Sequence, residues 1–147
     1  MSTITANVSA HGERVEFLRS LAVLSGCITP MSTLPDGRRP DVVGISSADK
    51  MIFLGEAKET ESPGNTATRA RLAGYFKWMK VVVGGGNTAV LAICFGNATH
   101  INGWLETVEI LSNEFEMPTG KRKVRRFGGG LIVVSAIYRF DARPTLH

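Results

Sequence analysis

Three stretches of the chain show apolar residues at the spacing of an amphipathic α-helix. The first ends before Gly26, the second runs from Thr66 or Thr68, either of which can cap it, to about Lys80, and the third covers about residues 102–112. Gly26 is expected to end the first helix as its C-terminal cap. Residues 1–9 are interpreted as a loose leader. The predicted apolar faces consist of Val15, Leu18, Leu21 and Ala22; Leu72, Phe76 and Met79; and Trp104, Leu105, Val108 and Leu111.

Apolar runs of a different kind predict the strands. Residues 42–45 and 51–54 are separated by Ser46 and four further residues, a pattern typical of a β-hairpin. Residues 88–95 form a nearly continuous apolar run, which indicates a strand buried on both faces, and residues 131–138 form the last strand. The proline-rich residues 29–40 are predicted as mostly loop, with room for a short edge strand. This order predicts a mixed sheet flanked by helices.

The length and composition predict one ordinary globular domain. The 147 residues are 44% hydrophobic and 20% charged, so we assign residues 1–147 to a single domain with a core over about residues 12–138. No apolar run is long enough to cross a membrane, and the N-terminus lacks the pattern of a secretory signal. Cys27 and Cys94 are expected to be buried, reduced thiols, which favours a cytoplasmic location. The scattered cysteines and histidines argue against a zinc site.

Positive charge is concentrated in one short segment. The net charge is +4, and five of the seventeen basic residues lie between residues 121 and 126. Because glycines flank this segment, we predict a basic loop that contacts the phosphates of a polyanionic partner and reads no bases. The expected nucleic-acid contacts are Lys121, Arg122, Lys123, Arg125 and Arg126.

The predicted hairpin brings three charged residues together. With its turn centred on Ala48 and Asp49, Ile45 faces Ile52 and Val43 faces Leu54. Continuing the same ladder places Asp41 opposite Glu56, and directly opposed side chains share a face. Lys58 points the same way because side chains on a strand alternate with a period of two.

Two opposed carboxylates repel each other, so this arrangement needs a physical reason. A divalent cation between Asp41 and Glu56 would remove the repulsion, and oxygen ligands favour a hard ion such as Mg²⁺ or Mn²⁺. Lys58 beside such a metal would position a water or neutralise phosphate charge. The alternative is a solvated hairpin end in which Lys58 bridges two acids. The residues alone leave both interpretations open.

The motif resembles the signature of the PD-(D/E)XK nuclease superfamily, which has the restriction-endonuclease-like fold. Pro40-Asp41 and Glu56-Ala57-Lys58 match that signature in residue type and in strand placement, and the order of elements over about residues 12–112 is similar to the superfamily core. The resemblance implies an α/β fold with a central mixed β-sheet flanked by helices on both sides. It also implies a Mg²⁺-dependent DNA endonuclease, with Mn²⁺ as an acceptable substitute.

The resemblance further implies roles for particular residues. Asp41, Glu56 and the backbone carbonyl of Ala57 would bind the metal, and Lys58 would position the attacking water. Gly12-Glu13-Arg14 resembles the start of the first helix in small Holliday-junction resolvase-like members, which favours Glu13 as an additional acidic site residue over Glu16. Arg69 and Arg71 open the second helix, where members place a polar residue near the site, and Arg69 is assigned to DNA binding. Because one site handles one strand, a homodimer is expected.

Two other classes of protein remain open. The chain could be a non-catalytic nucleic-acid-binding or assembly subunit that keeps this fold, or a metal-free interaction protein whose hairpin charges are structural. The intact Asp41, Glu56 and Lys58 favour the nuclease. The sequence predicts neither the form of the DNA substrate nor the specificity of the cut.

Overall fold

The computed structural model describes residues 3–31, 34, 37, 39–58, 62–95, 100–114, 120–128 and 130–138. Within these ranges the helices are α1 (Thr3–Leu24), α2 (Thr66–Gly84) and α3 (Ile101–Glu114). The strands are β1 (Ile28–Met31), β2 (Val42–Ser46), β3 (Met51–Lys58), β4 (Thr88–Phe95), β5 (Gly120–Phe127) and β6 (Leu131–Tyr138).

The described strands form one open six-stranded sheet in the order β1-β2-β3-β4-β6-β5. All neighbours are antiparallel except β3 and β4, which are parallel and are connected through α2. A parallel pair needs such a crossover because its strands run in the same direction. The predicted α/β class with a mixed sheet is therefore confirmed.

Both faces of the sheet are covered by helices. On one face α1 packs Leu18 and Ala22 against a cluster that includes Phe53. On the other face α2 and α3 bury the larger cluster, which includes Leu54 and Trp104. Successive β3 residues alternate between the two clusters, as strand geometry requires. The predicted placement of helices on both sides of the sheet is confirmed.

The first helix differs from its prediction at its start and agrees at its end. It begins at Thr3, so the predicted loose leader was wrong for residues 3–9, and residues 1 and 2 lie outside the described residues. No proline or glycine interrupts the chain before Gly12, and the helix therefore extends upstream of its apolar face. Gly26 adopts a positive φ of 89°, and the Cys27 N–H donates to the Ala22 carbonyl at 3.0 Å, which confirms the predicted C-terminal cap.

The second helix is capped one residue earlier than predicted. Asn65, and neither Thr66 nor Thr68, is the N-cap, because its side-chain oxygen accepts a hydrogen bond from the Thr68 N–H at 2.9 Å. The predicted core residues Leu72, Phe76 and Met79 are all fully buried.

The basic run forms a strand instead of the predicted loop. Residues Gly120–Phe127 pair antiparallel with β6 along their whole length, and β5 is an edge strand of the sheet. Val124 opposes Val134 and packs against the larger core cluster, which anchors the strand. An edge strand accepts a high density of charge because one side of it and much of its surface remain in water.

Two smaller expectations are also settled. Cys27 and Cys94 are buried and unpaired, as predicted. In the described part of the chain, no helix has the length and apolar character needed to cross a membrane.

Candidate active site

The candidate site lies at the end of the β2–β3 ladder. The observed pairs include Val43 with Leu54 and Ile45 with Ile52, which confirms the predicted hairpin register. The ladder ends at Val42 opposite Gly55. Asp41 directly precedes Val42, the first residue of β2, and Glu56 directly follows Gly55, two residues before β3 ends.

Asp41 is fixed by the backbone of β3. The Ala57 N–H donates to Asp41 Oδ2 at 2.7 Å, and the other carboxylate oxygen, Oδ1, lies 3.7 Å from His11 Nε2 on α1. The Asp41 side chain is 25% exposed. The N–H and carbonyl of a strand residue point toward the same neighbouring strand. The Ala57 carbonyl is therefore directed toward β2, the strand that Asp41 precedes.

Glu56 is buried and held by three side chains. It is 2% exposed, although it carries an ionisable group. The Tyr75 hydroxyl donates to Glu56 Oε1 at 3.1 Å, while Arg71 Nε lies 2.8 Å and Lys58 Nζ 3.5 Å from Glu56 Oε2. Burial of a carboxylate is costly unless it is paired and hydrogen-bonded, and these contacts provide that compensation.

Two further contacts hold Arg71 and Tyr75 in place on α2. Arg71 Nε also donates to the Tyr75 hydroxyl oxygen at 3.0 Å, and Arg71 Nη2 donates to the Arg39 carbonyl at 2.7 Å. Arg71 thus links the segment before Asp41 to Glu56. Burial and the Glu56 charge raise the pKa of Tyr75, so its hydroxyl stays protonated and remains a donor.

The surroundings of the Glu56 carboxyl raise its pKa. Burial raises its pKa, and the nearby Asp41 carboxylate raises the pKa further. Arg71, Lys58 and the hydrogen bond from Tyr75 oppose this rise without cancelling it. A shift of this kind, caused by burial together with a specific charge, is common at functional sites.

These residues fit a hard divalent cation in donor type. Mg²⁺ is commonly bound by one or two carboxylates and completes its shell with waters or substrate oxygens. Asp41, Glu56 and the Ala57 carbonyl offer oxygen donors on one side of the sheet, and a cation there would relieve the repulsion that raises the Glu56 pKa. Among the described residues no group of three or more His, Cys, Asp or Glu side chains could hold a metal ion. The Ala57 carbonyl, waters and substrate oxygens would then complete the shell around the two carboxylates.

The two acidic residues predicted on α1 are both exposed. Glu13 is exposed on α1, and Glu16, also exposed, pairs with Arg19 on the same helix. His11, also on α1, lies against Asp41. The role of Glu13 therefore stays a prediction.

Of the two arginines at the start of α2, Arg71 contacts Glu56, whereas Arg69 is exposed. Tyr75 is fully buried, and its hydroxyl is committed to Glu56, so it forms part of the core and of the site. The sequence signal for both side chains was available. Arg71 and Tyr75 are four residues apart and therefore share one helix face, and Tyr75 lies beside the apolar residues of that face. The sequence did not predict that this face of α2 covers Glu56.

The basic run is divided between the two faces of the sheet. Arg126 is exposed, and its Nη1 donates to Asn102 Oδ1 on α3 at 2.6 Å. Lys123 and Arg125 are exposed and alternate with Val124 along β5, so they belong to the opposite face. For Lys121 and Arg122 only the backbone is described, and both are paired in β5.

The comparisons with known proteins add no family to this picture. No protein-family model matches the chain, and no curated protein matches it. Membership of the PD-(D/E)XK superfamily therefore stays a prediction based on Asp41, Glu56 and Lys58 and on the order of the elements.

Proposed function

We propose that this protein is a metal-dependent DNA endonuclease that hydrolyses phosphodiester bonds. Asp41, Glu56 and the Ala57 carbonyl would hold Mg²⁺, or Mn²⁺ in its place, and Lys58 would position the attacking water. The observation that carries the proposal is the pairing of a buried Glu56, whose pKa is raised, with Asp41 at the end of one strand ladder. Two opposed carboxylates repel each other, and a bound cation would reduce this repulsion.

The metal and the side chains of the site would have different roles in hydrolysis. Bound Mg²⁺ would supply Lewis-acid stabilisation of the charge that develops on the phosphate. Lys58 Nζ lies 3.5 Å from Glu56 Oε2 and the Lys58 side chain is 17% exposed, so it can hold a water that enters from solvent. Arg71 and Tyr75 keep the Glu56 carboxylate in one orientation, and the Ala57 N–H does the same for Asp41. Fixed donors of this kind cost no reorganisation during the reaction.

The first test is metal binding. We expect Mn²⁺ to bind the parent protein in a calorimetric titration and to bind much more weakly to Asp41→Asn and Glu56→Gln. Glu109→Gln is the matched control because Glu109 is an exposed carboxylate on α3. Equal binding to all four proteins, or no binding to the parent, would overturn the metal assignment.

The second test is cleavage of a panel of duplex, single-stranded, flapped and four-way DNA with Mg²⁺. We expect Lys58→Ala to cleave about 10²–10³ times more slowly than the parent, while DNA affinity changes little, because Lys58 acts on charge present mainly in the transition state. Lys77→Ala, at an exposed lysine of α2, should behave like the parent. A Lys58→Ala protein that cuts at the parental rate would refute the role of Lys58.

A second candidate function is a non-catalytic nucleic-acid-binding or assembly subunit with the same fold. The observation in its favour is that Tyr75, Arg71 and Lys58 already satisfy the Glu56 carboxylate by themselves. The two candidates differ in their requirement for a metal. DNA binding by the parent without Mn²⁺ binding and without cleavage of any DNA form would favour the subunit.

A further inference from the structure

Arg126 lies on the same face of the sheet as Glu56 and in the same row of residues across it. Glu56 pairs with Ile93, Ile93 with Ile132, and Ile132 with Arg126. Directly paired residues point to one face, so this row places Arg126 on the face covered by α2 and α3. Three strand spacings separate Glu56 from Arg126, which is about 14 Å at about 4.8 Å each.

The region between them is the end of the sheet at which α2 and α3 both begin. Arg71, in the second turn of α2, contacts Glu56, and Asn102, in the first turn of α3, contacts Arg126. The two helix starts are adjacent, because the α carbon of Gly103 packs against Pro63 so closely that a Cβ there would lie 2.6 Å from the proline ring.

The charges at this end favour an anion that extends across it. Neither α2 nor α3 has an acidic residue in its first turn, so no carboxylate of those turns offsets the partial positive charge of the helix start. Arg69 is exposed in the first turn of α2. Arg126 adds a full positive charge at the far side, and the contact with Asn102 limits its side-chain motion. The cationic groups thus extend from Lys58 to Arg126.

We propose that Arg126, positioned by Asn102 and about 14 Å across the sheet from Glu56, contacts a backbone phosphate of the DNA molecule that occupies the candidate site. This inference rests on the proposed nuclease function. Because phosphates of one strand are separated by more than the axial rise of about 3.4 Å per nucleotide, the contacted phosphate is at most about four steps from the cut. Lys123 and Arg125 belong to the opposite face of the sheet and do not contact this DNA, although they neighbour Arg126 in sequence.

The matched pair of variants is Arg126→Ala and Arg125→Ala, both in a Lys58→Ala background that slows cleavage. Their affinity for the DNA form that the parent cleaves is measured at several salt concentrations by fluorescence anisotropy. We expect Arg126→Ala to reduce the slope of log K against log salt by about 0.9, which is the loss of one phosphate contact. Arg125→Ala should leave the slope unchanged, and Arg126→Lys should retain most of it.

A neutral methylphosphonate moved along the DNA locates the contact. At one position within about four phosphates of the cut, the neutral linkage should weaken binding of the Lys58→Ala protein and have no further effect on the Arg126→Ala double variant. Equal slopes for Arg126→Ala and Arg125→Ala, or additive effects of the neutral linkage and Arg126→Ala at every position, would overturn the inference. If either of those results is obtained and the parent protein still cleaves DNA, the proposed nuclease function is unaffected. If the parent protein cleaves no DNA, both the nuclease function and the inference about Arg126 are overturned.

Discussion

The sheet contains two antiparallel hairpins, β2–β3 and β5–β6, whose sequences differ greatly. In β2–β3 every β2 residue except Ile45 is buried, and β3 is buried from Phe53 to Ala57. In β5 only Val124, of the side chains that the structure describes from Lys123 to Phe127, is even partly buried. The β2–β3 hairpin lies inside the sheet and is called the inner hairpin. The β5–β6 hairpin includes an edge of the sheet and is called the outer hairpin.

This difference decides what a charged residue means in each hairpin. Glu56 lies within a buried strand, where a carboxylate is costly, so its presence demands a partner and indicates a function. Arg125 lies on an exposed edge, where charge is inexpensive and also prevents the edge from pairing with other chains. A charged residue therefore indicates a functional site in the β2–β3 hairpin, whereas in the β5–β6 hairpin it does not.

The largest effect on stability is expected from adding a methyl group to the inner hairpin. A Cβ at Gly55 would lie 3.1 Å from the Cβ of Val42 and 3.2 Å from that of Leu18. These atoms are attached to the backbones of β2 and α1 and cannot rotate away. We expect Gly55→Ala to lower the free energy of unfolding by about 1–3 kcal/mol, measured by urea denaturation.

Gly128→Ala is the matched control in the turn of the outer hairpin. A Cβ there would meet nothing within 4 Å, so the change should stay within about 0.5 kcal/mol. Equal destabilisation by both substitutions would mean that the inner hairpin is not packed more tightly than the outer one.

The second prediction concerns the pH dependence that Glu56 contributes. Its pKa is raised in the folded protein above the ordinary value of 4.5, so between these two pKa values the folded state holds a proton that the unfolded state has released. The contribution of Glu56 to stability is therefore full below pH 4.5 and decreases as the pH rises through the folded pKa.

Glu56→Gln should flatten this part of the curve when the free energy of unfolding is measured over a series of pH values. Glu109→Gln, at an exposed carboxylate, should leave the curve as in the parent. A parental slope in Glu56→Gln would show that other groups cause it, and would remove the electrostatic argument for a cation at this site.

The smallest effects are expected in the outer hairpin itself. Val124→Ala should cost about 1 kcal/mol, because its side chain is partly buried against the core under α3. Arg125→Ala, at the next residue and on the exposed side, should change the free energy of unfolding by less than about 0.5 kcal/mol. If both changes were neutral, the alternation that divides the basic run between two faces would not hold in solution.

The sequence by itself determined the central part of the site. The hairpin register depends on a short turn and on the alternation of a few apolar residues, and both are local properties. That register was sufficient to bring Asp41 and Glu56 to the same end of the ladder and to place Lys58 beside them.

Only the tertiary structure decided which residues surround these three. His11 contacts Asp41 from α1, and Arg71 and Tyr75 contact Glu56 from α2, across sequence separations that no local pattern encodes. The conformation of residues 120–127 was decided in the same way. Their charges predict a loop when they are considered alone, but pairing with β6 and the contact of Val124 with the core outweigh that local preference. The strand then separates Arg126 from Arg125 because neighbouring side chains on a strand point to opposite faces.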